Sequence, residues 1–151
     1  MIDISPERLE MAKAFEADEY INGSSTNVKN RVKEITGGYG VDKVIVAAPS
    51  SAAIEQAIEI VKKRAIIVLF GGLPKENSVI RLNANTIHYN DLHLMGHFGQ
   101  EIRHLILSLE LIKEGKINAE KLITHVLPLE RIFEGFELMK NKKALKVLIK
   151  P

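Results

Sequence analysis

Chemistry in this 151-residue chain has to come from a short set of side chains. There are five histidines and no cysteine, which removes disulfides, thiolate nucleophiles and Cys-based metal sites. Zinc wants three or four converging ligands. His93 and His97 are four apart, but Gly96 and a strand-like context leave no helix to align them, and no compact His/Asp/Glu cluster surrounds them. His125 lies in an Ile-Thr-His strand candidate and reads as packed or hydrogen-bonded in a sheet, while His104 borders the apolar side of a helix. No nucleophile elbow and no H-E-x-x-H run occurs, so hydrolase chemistry has no support. A glycine-rich turn cradles phosphate where a strand feeds a helix, because the helix amides then face the anion. Gly37-Gly38-Tyr39-Gly40 stands the other way round, after a helix and before a strand, and reads as a connecting turn. GxGxxG is absent.

The elements that would position any site are organised around Val41–Gly72. Val44 to Ala47 is a short apolar run, as expected for a strand buried on both sheet faces. Ser50 is a plausible cap for a helix whose Ile54, Ala57, Ile58 and Val61 share a face and whose end is Lys62-Lys63-Arg64. Ala65–Phe70 is the next strand, stopped by Gly71-Gly72. A strand, helix and strand in this order predict a parallel pair with a right-handed crossover.

Upstream, Ser5-Pro6-Glu7 starts a helix running to about Glu16, and residues 17–22 read as a short extended piece. Ser24, Ser25 and Thr26 offer caps for a helix with Val28, Val32 and Ile35 on one face. Downstream, 83–90 reads as a loop or irregular turn and 91–95 as a strand. Residues 101–114 form a helix lined by Ile102, Leu105, Ile106, Leu109 and Ile112, closed by Gly115. Strand candidates at 123–127 and 145–149 flank a last helix carrying Ile132, Phe133, Phe136 and Met139. The class is α/β.

Composition bounds the partners. Forty-six per cent apolar residues allow one real core, and 21 Lys plus Arg against 19 Asp plus Glu give a net charge of +2. That balance, with no interleaving of basic and aromatic residues, argues against a nucleic-acid surface. No apolar run approaches the roughly 20 residues that span a bilayer, and the first residues turn acidic and polar at once. A cytoplasmic protein without a membrane segment is the expectation.

The stretches DISPERLEMAKAFEADEYIN, VDKVIVAAPSSAAIEQAIEIVKKRAIIVLFGG and LITHVLPLERIFEGFELMKNKKALKVLIKP together resemble the C-terminal portion of zinc-dependent medium-chain alcohol dehydrogenases, especially the sorbitol and threonine dehydrogenase branch. The most specific part is Leu122-Ile123-Thr124-His125 followed by Leu129 to Phe136. The resemblance implies an incomplete Rossmann-type parallel sheet lacking its first strand and glycine-rich loop. Residues 1–97 would be the partial dinucleotide-binding domain, and 98–151 the segment that crosses back to a catalytic domain.

It also implies a cofactor, NAD. Asp3 falls where such enzymes place the acid that accepts from the adenosine ribose, and Arg8 matches a basic position beside it. Ala47 and Ala48 would line the adenine side, Gly71, Gly72 and Phe98 the nicotinamide side, and Lys146 would approach the pyrophosphate. Two positions depart from the family pattern: Glu16 and the pair Lys63-Arg64 stand where glycine is common.

The zinc ligands of the family precede the region this chain resembles, so no catalytic residue and no metal is expected here. The implied function is a truncated alcohol dehydrogenase-like protein, at most a residual NAD(H)-binding half-domain. The alternatives are the C-terminal chain of a split alcohol or polyol dehydrogenase and a non-catalytic interaction module. Without its first strand, the usual 3-2-1-4-5-6 sheet would separate into halves. A homo-oligomer or a complementary N-terminal chain would then be needed to complete it.

Overall fold

The computed structural model describes residues 1–151. The chain divides into two compact units, one made of residues 27–99 and the other of 1–26 together with 100–151.

In the first unit, α2 (Val28–Ile35) precedes β3 (Val41–Val46), α3 (Ser51–Ile60), β4 (Val61–Leu69), α4 (Ala84–Tyr89) and β5 (His93–Gly96). The strands form one parallel sheet in the order β3-β4-β5. Ser50 caps α3 by accepting from the Ala53 amide at 3.4 Å. Ile54, Ala57 and Ile58 of that helix pack on Val46 and Ile67, and Ile67 is fully buried. Gly40 is required at the entry to β3. Its φ is 86°, and a Cβ there would lie 2.6 Å from the Ile60 carbonyl oxygen.

Several expectations are corrected here. The α3 helix stops at Ile60, and Val61 is already extended, with φ −90° and ψ 154°, because it pairs with Val41. Lys62, Lys63 and Arg64 therefore belong to β4, where the register slips between Val41/Val61 and Lys43/Ile66. The α2 cap is Asn27, whose side chain accepts from the Asn30 amide; Ser24 is instead held by Asn22. Residues 84–89 form a helix capped by Asn83, although Ile87 is its only aliphatic residue besides an alanine. Finally, the sheet is covered on one face only. Ile45, which alternates with the buried Val46, is 68% exposed, and Met95 is exposed beside it on the same side.

In the second unit, β1 (Ile2–Asp3) pairs in parallel with β2 (Ile21–Asn22), and α1 (Pro6–Ala12) joins them through a short 3-10 turn at Lys13–Phe15. Leu9, Ala12 and Ile21 are the buried apolar residues of this early part, and Leu127 and Ala144 those of the later part. The later part contributes α5 (Ile102–Lys113), β6 (Ile123–Pro128), α6 (Ile132–Lys140) and β7 (Lys146–Lys150). Here β6 and β7 form a separate parallel pair. Gly135 lets α6 settle on it: a Cβ would stand 3.2 Å from Val147 and 3.7 Å from Leu127. Lys121 ties the early and late segments by donating to the Ala14 carbonyl at 2.8 Å.

Three separate parallel sheets result, and no strand pairing links β2 to β3. The fold is α/β and resembles part of a Rossmann-type domain.

Candidate functional site

In open parallel sheets the ligand crevice lies outside the carboxyl ends of the strands. The 27–99 unit has such a crevice, a cleft of about 510 Å3 just beyond β4 and β5. Phe70, Gly71, Gly72 and Leu73 form one wall, and His97 and Phe98 form another. The backbone sets this geometry. The amides of Phe70 and Gly71 both donate to the Val46 carbonyl, at 3.1 and 3.0 Å, which turns the chain sharply across the end of β3. A Cβ on Gly71 would stand 3.0 Å from the Ala47 oxygen, whereas Gly72 faces open space. The His97 amide donates to the Leu69 carbonyl at 3.2 Å, and its ring lies nearly parallel to Phe70 at a centroid distance of 6.2 Å.

Of the residues singled out in the sequence, Gly71, Gly72 and Phe98 thus line one cleft, and Ala47 and Ala48 lie directly behind Gly71. The sequence weighed His97 only as a metal ligand and did not single out Phe70; the available signal for this cleft was an aromatic residue just past the end of each of two consecutive strands.

The other three lie in the second unit. Asp3 ends β1, and its Oδ1 accepts from the Ser5 amide at 2.9 Å. Ser5 is buried, caps α1 by accepting from the Arg8 amide, and donates its hydroxyl to Glu7 at 2.8 Å. The Glu7 carboxyl is held below its ordinary range, first by its backbone hydrogen bond and then by the Ser5 hydroxyl. Arg8 has a buried Nε with no hydrogen-bond partner, a group that an oxygen acceptor would satisfy. Lys146 opens β7 with an exposed side chain, and its carbonyl accepts from Thr124.

Two of the other histidines have hydrogen-bond partners. His104 faces the Glu101 amide at 3.4 Å in a capping box at the start of α5, and His125 faces the Thr124 hydroxyl at 3.1 Å. No three His, Asp or Glu side chains converge in a way that could hold a metal ion.

A strand-end cleft is where open parallel sheets hold their ligands, and the sequence profile of the zinc-binding dehydrogenases matches residues 1–114. The chain belongs to the zinc-binding dehydrogenase family. Sorbitol dehydrogenase of Halalkalibacterium halodurans is 28% identical over 95% of the chain and 41% of its own length. An alcohol dehydrogenase of Cupriavidus necator is 30% identical over 99% of the chain and 42% of its own. Among solved structures, 2R,3R-butanediol dehydrogenase from Bacillus subtilis superimposes with a TM-score of 0.87 at 28% identity, covering 99% of the chain and 42% of that enzyme. The chain therefore spans about 40% of the length of these relatives. Their names cover different alcohols and polyols at nearly equal identity, so the likeness reaches the family of zinc-type alcohol and polyol dehydrogenases and singles out no branch.

Proposed function

We propose that this chain is the later part of a dehydrogenase cofactor domain, residues 1–97, followed by the segment, 98–151, that in such enzymes returns to the catalytic domain. No GxGxxG run occurs in these 151 residues. In this reading the chain binds NAD(H) weakly and does not catalyse oxidation by itself. The observation that carries it is the cleft beyond β4 and β5, where Gly71 and Gly72 leave part of one wall, between Phe70 and Leu73, without side chains and Phe98 stands on the other.

Within the 27–99 unit the cleft suits such a cofactor, because Gly72 leaves space for close approach. In the other unit, the buried Arg8 Nε lacks an acceptor. Ala47 and Ala48 would flank the adenine side, and Lys146 would neutralise pyrophosphate charge. Asp3 would accept from ribose hydroxyls and repel a 2′-phosphate, which selects NAD over its phosphorylated form. When bound, the cofactor supplies hydride chemistry, while polarising the alcohol oxygen requires a Lewis acid or a proton donor from elsewhere. The sequence has no cysteine and the fold brings no three potential metal ligands together. A complementary chain carrying the zinc ligands, or a homo-oligomer that completes the sheet edges, would make up what this chain does not supply. Within the family, Leu122–His125 and Leu129–Phe136 favour the sorbitol and threonine dehydrogenase branch, without naming a substrate.

Calorimetric titration with NADH tests the reading. Weak, saturable heat is expected, and Asp3→Ala should weaken it by roughly tenfold, the worth of one charge-assisted hydrogen bond. No heat at millimolar NADH would overturn cofactor binding. Alcohol-dependent NAD reduction by the chain alone with added zinc is expected to be nil.

A further inference from the structure

The opposite end of the three-stranded sheet carries a second cavity, of about 390 Å3, lined by Arg64, Ile87, His88, Asp91, Leu92 and His93. Its frame is backbone held in an unfavourable conformation. Of the four non-glycine residues with positive φ, two line this cavity: Arg64 at 64° and Asp91 at 50°. The Arg64 amide donates to the Asn90 carbonyl at 2.7 Å, and the Asp91 amide donates to the His88 carbonyl at 3.3 Å, so the α4–β5 turn fixes both. Glycine would take the Arg64 conformation without strain. An arginine there costs the fold stability, and its guanidinium forms no ion pair in return, even with Asp91 in the same cavity.

We propose that this cavity binds the phosphate group of a small hydroxylated phosphate compound. The guanidinium offers a planar fork of N–H donors matched to two phosphate oxygens, and lysine would not reproduce that geometry. His88 and His93 each add an imidazole N–H from the wall of the same cavity. Asp91, the one acid in the lining, accepts from a ligand hydroxyl, and Ile87 and Leu92 supply apolar surface for the carbon frame. The volume exceeds that of a free phosphate ion, so an organic portion can enter with it. Two of the four strained non-glycine residues meet at this cavity, and strained backbone concentrates at ligand sites.

The test is a titration of the isotope-labelled full chain with inorganic phosphate and, separately, with glycerol 3-phosphate, followed at the His88 and His93 resonances. Saturable shifts are expected, and tighter binding of glycerol 3-phosphate would assign the ester as ligand, while equal binding would assign the free ion. Arg64→Gly should raise the melting temperature and weaken phosphate binding by at least roughly tenfold. Arg64→Lys should keep the strain and still lose most of the affinity. Absence of saturable shifts at millimolar phosphate, or unchanged affinity in Arg64→Gly, would overturn the proposal. NADH binding, followed at Gly71 and Gly72, is a separate readout and stands or falls independently.

Discussion

Single residues at glycine-favouring positions tell most about how this chain departs from its family. Of the three positions where the resemblance places glycine, Glu16 (φ 54°) and Arg64 (φ 64°) adopt the left-handed backbone that glycine favours, and Lys63 does not. At these two positions a side chain occupies backbone that suits glycine. Glu16 gains only a 3.7 Å contact to Lys121, and its side chain is 86% exposed, so the pair contributes little. Relieving the backbone strain should therefore win. Glu16→Gly is expected to stabilise the chain by about 1 kcal/mol, read as a higher urea midpoint with an unchanged slope. A lower midpoint would mean that the contact to Lys121 matters more than the strain.

At the scale of elements, the β3-α3-β4 unit holds the largest continuous apolar cluster, and Ile67 is its most buried member. Ile67→Ala should cost about 2–5 kcal/mol, as large-to-small changes in a packed core do, and equilibrium unfolding would show it. A loss under 1 kcal/mol would mean that α3 collapses freely onto the sheet. This unit was legible in the sequence because its cues are local: an apolar run, a capping serine, a 3.6-residue period, a glycine pair. Its details were not. Val61 has the same period as the helix face, and only its pairing with Val41 makes it a strand residue. The α4 helix escaped notice for a related reason, since its side chains carry almost no apolar period and Asn83 was its only start signal.

At the scale of the whole molecule, the dominant feature is apolar surface without a cover. The face of α5 predicted from its period is present, yet Ile102 is 79% exposed and Leu105, Ile106, Leu109 and Ile112 are also exposed. Parallel sheets are ordinarily covered on both faces, and here one face presents Ile45 and Met95. Surfaces of this kind associate. Sedimentation should show a concentration-dependent mass, and Leu105→Lys together with Leu109→Lys should reduce it without lowering the unfolding midpoint, because neither side chain is buried. A mass independent of concentration would remove the homo-oligomer reading.

The sequence by itself determined the class, the family and most element positions, because periodicity, caps and turn glycines act between near neighbours in the chain. It also placed Gly71-Gly72 at a strand-to-loop turn. Only the tertiary structure decided which candidates meet. Gly71, Gly72 and Phe98 share one cleft through hydrogen bonds to Val46 and Leu69, contacts made between residues more than twenty positions apart. The buried, unpartnered Nε of Arg8 and the cavity around Arg64 were likewise invisible beforehand. Burial and backbone strain are set by what packs around a residue, and no local pattern in the chain encodes that.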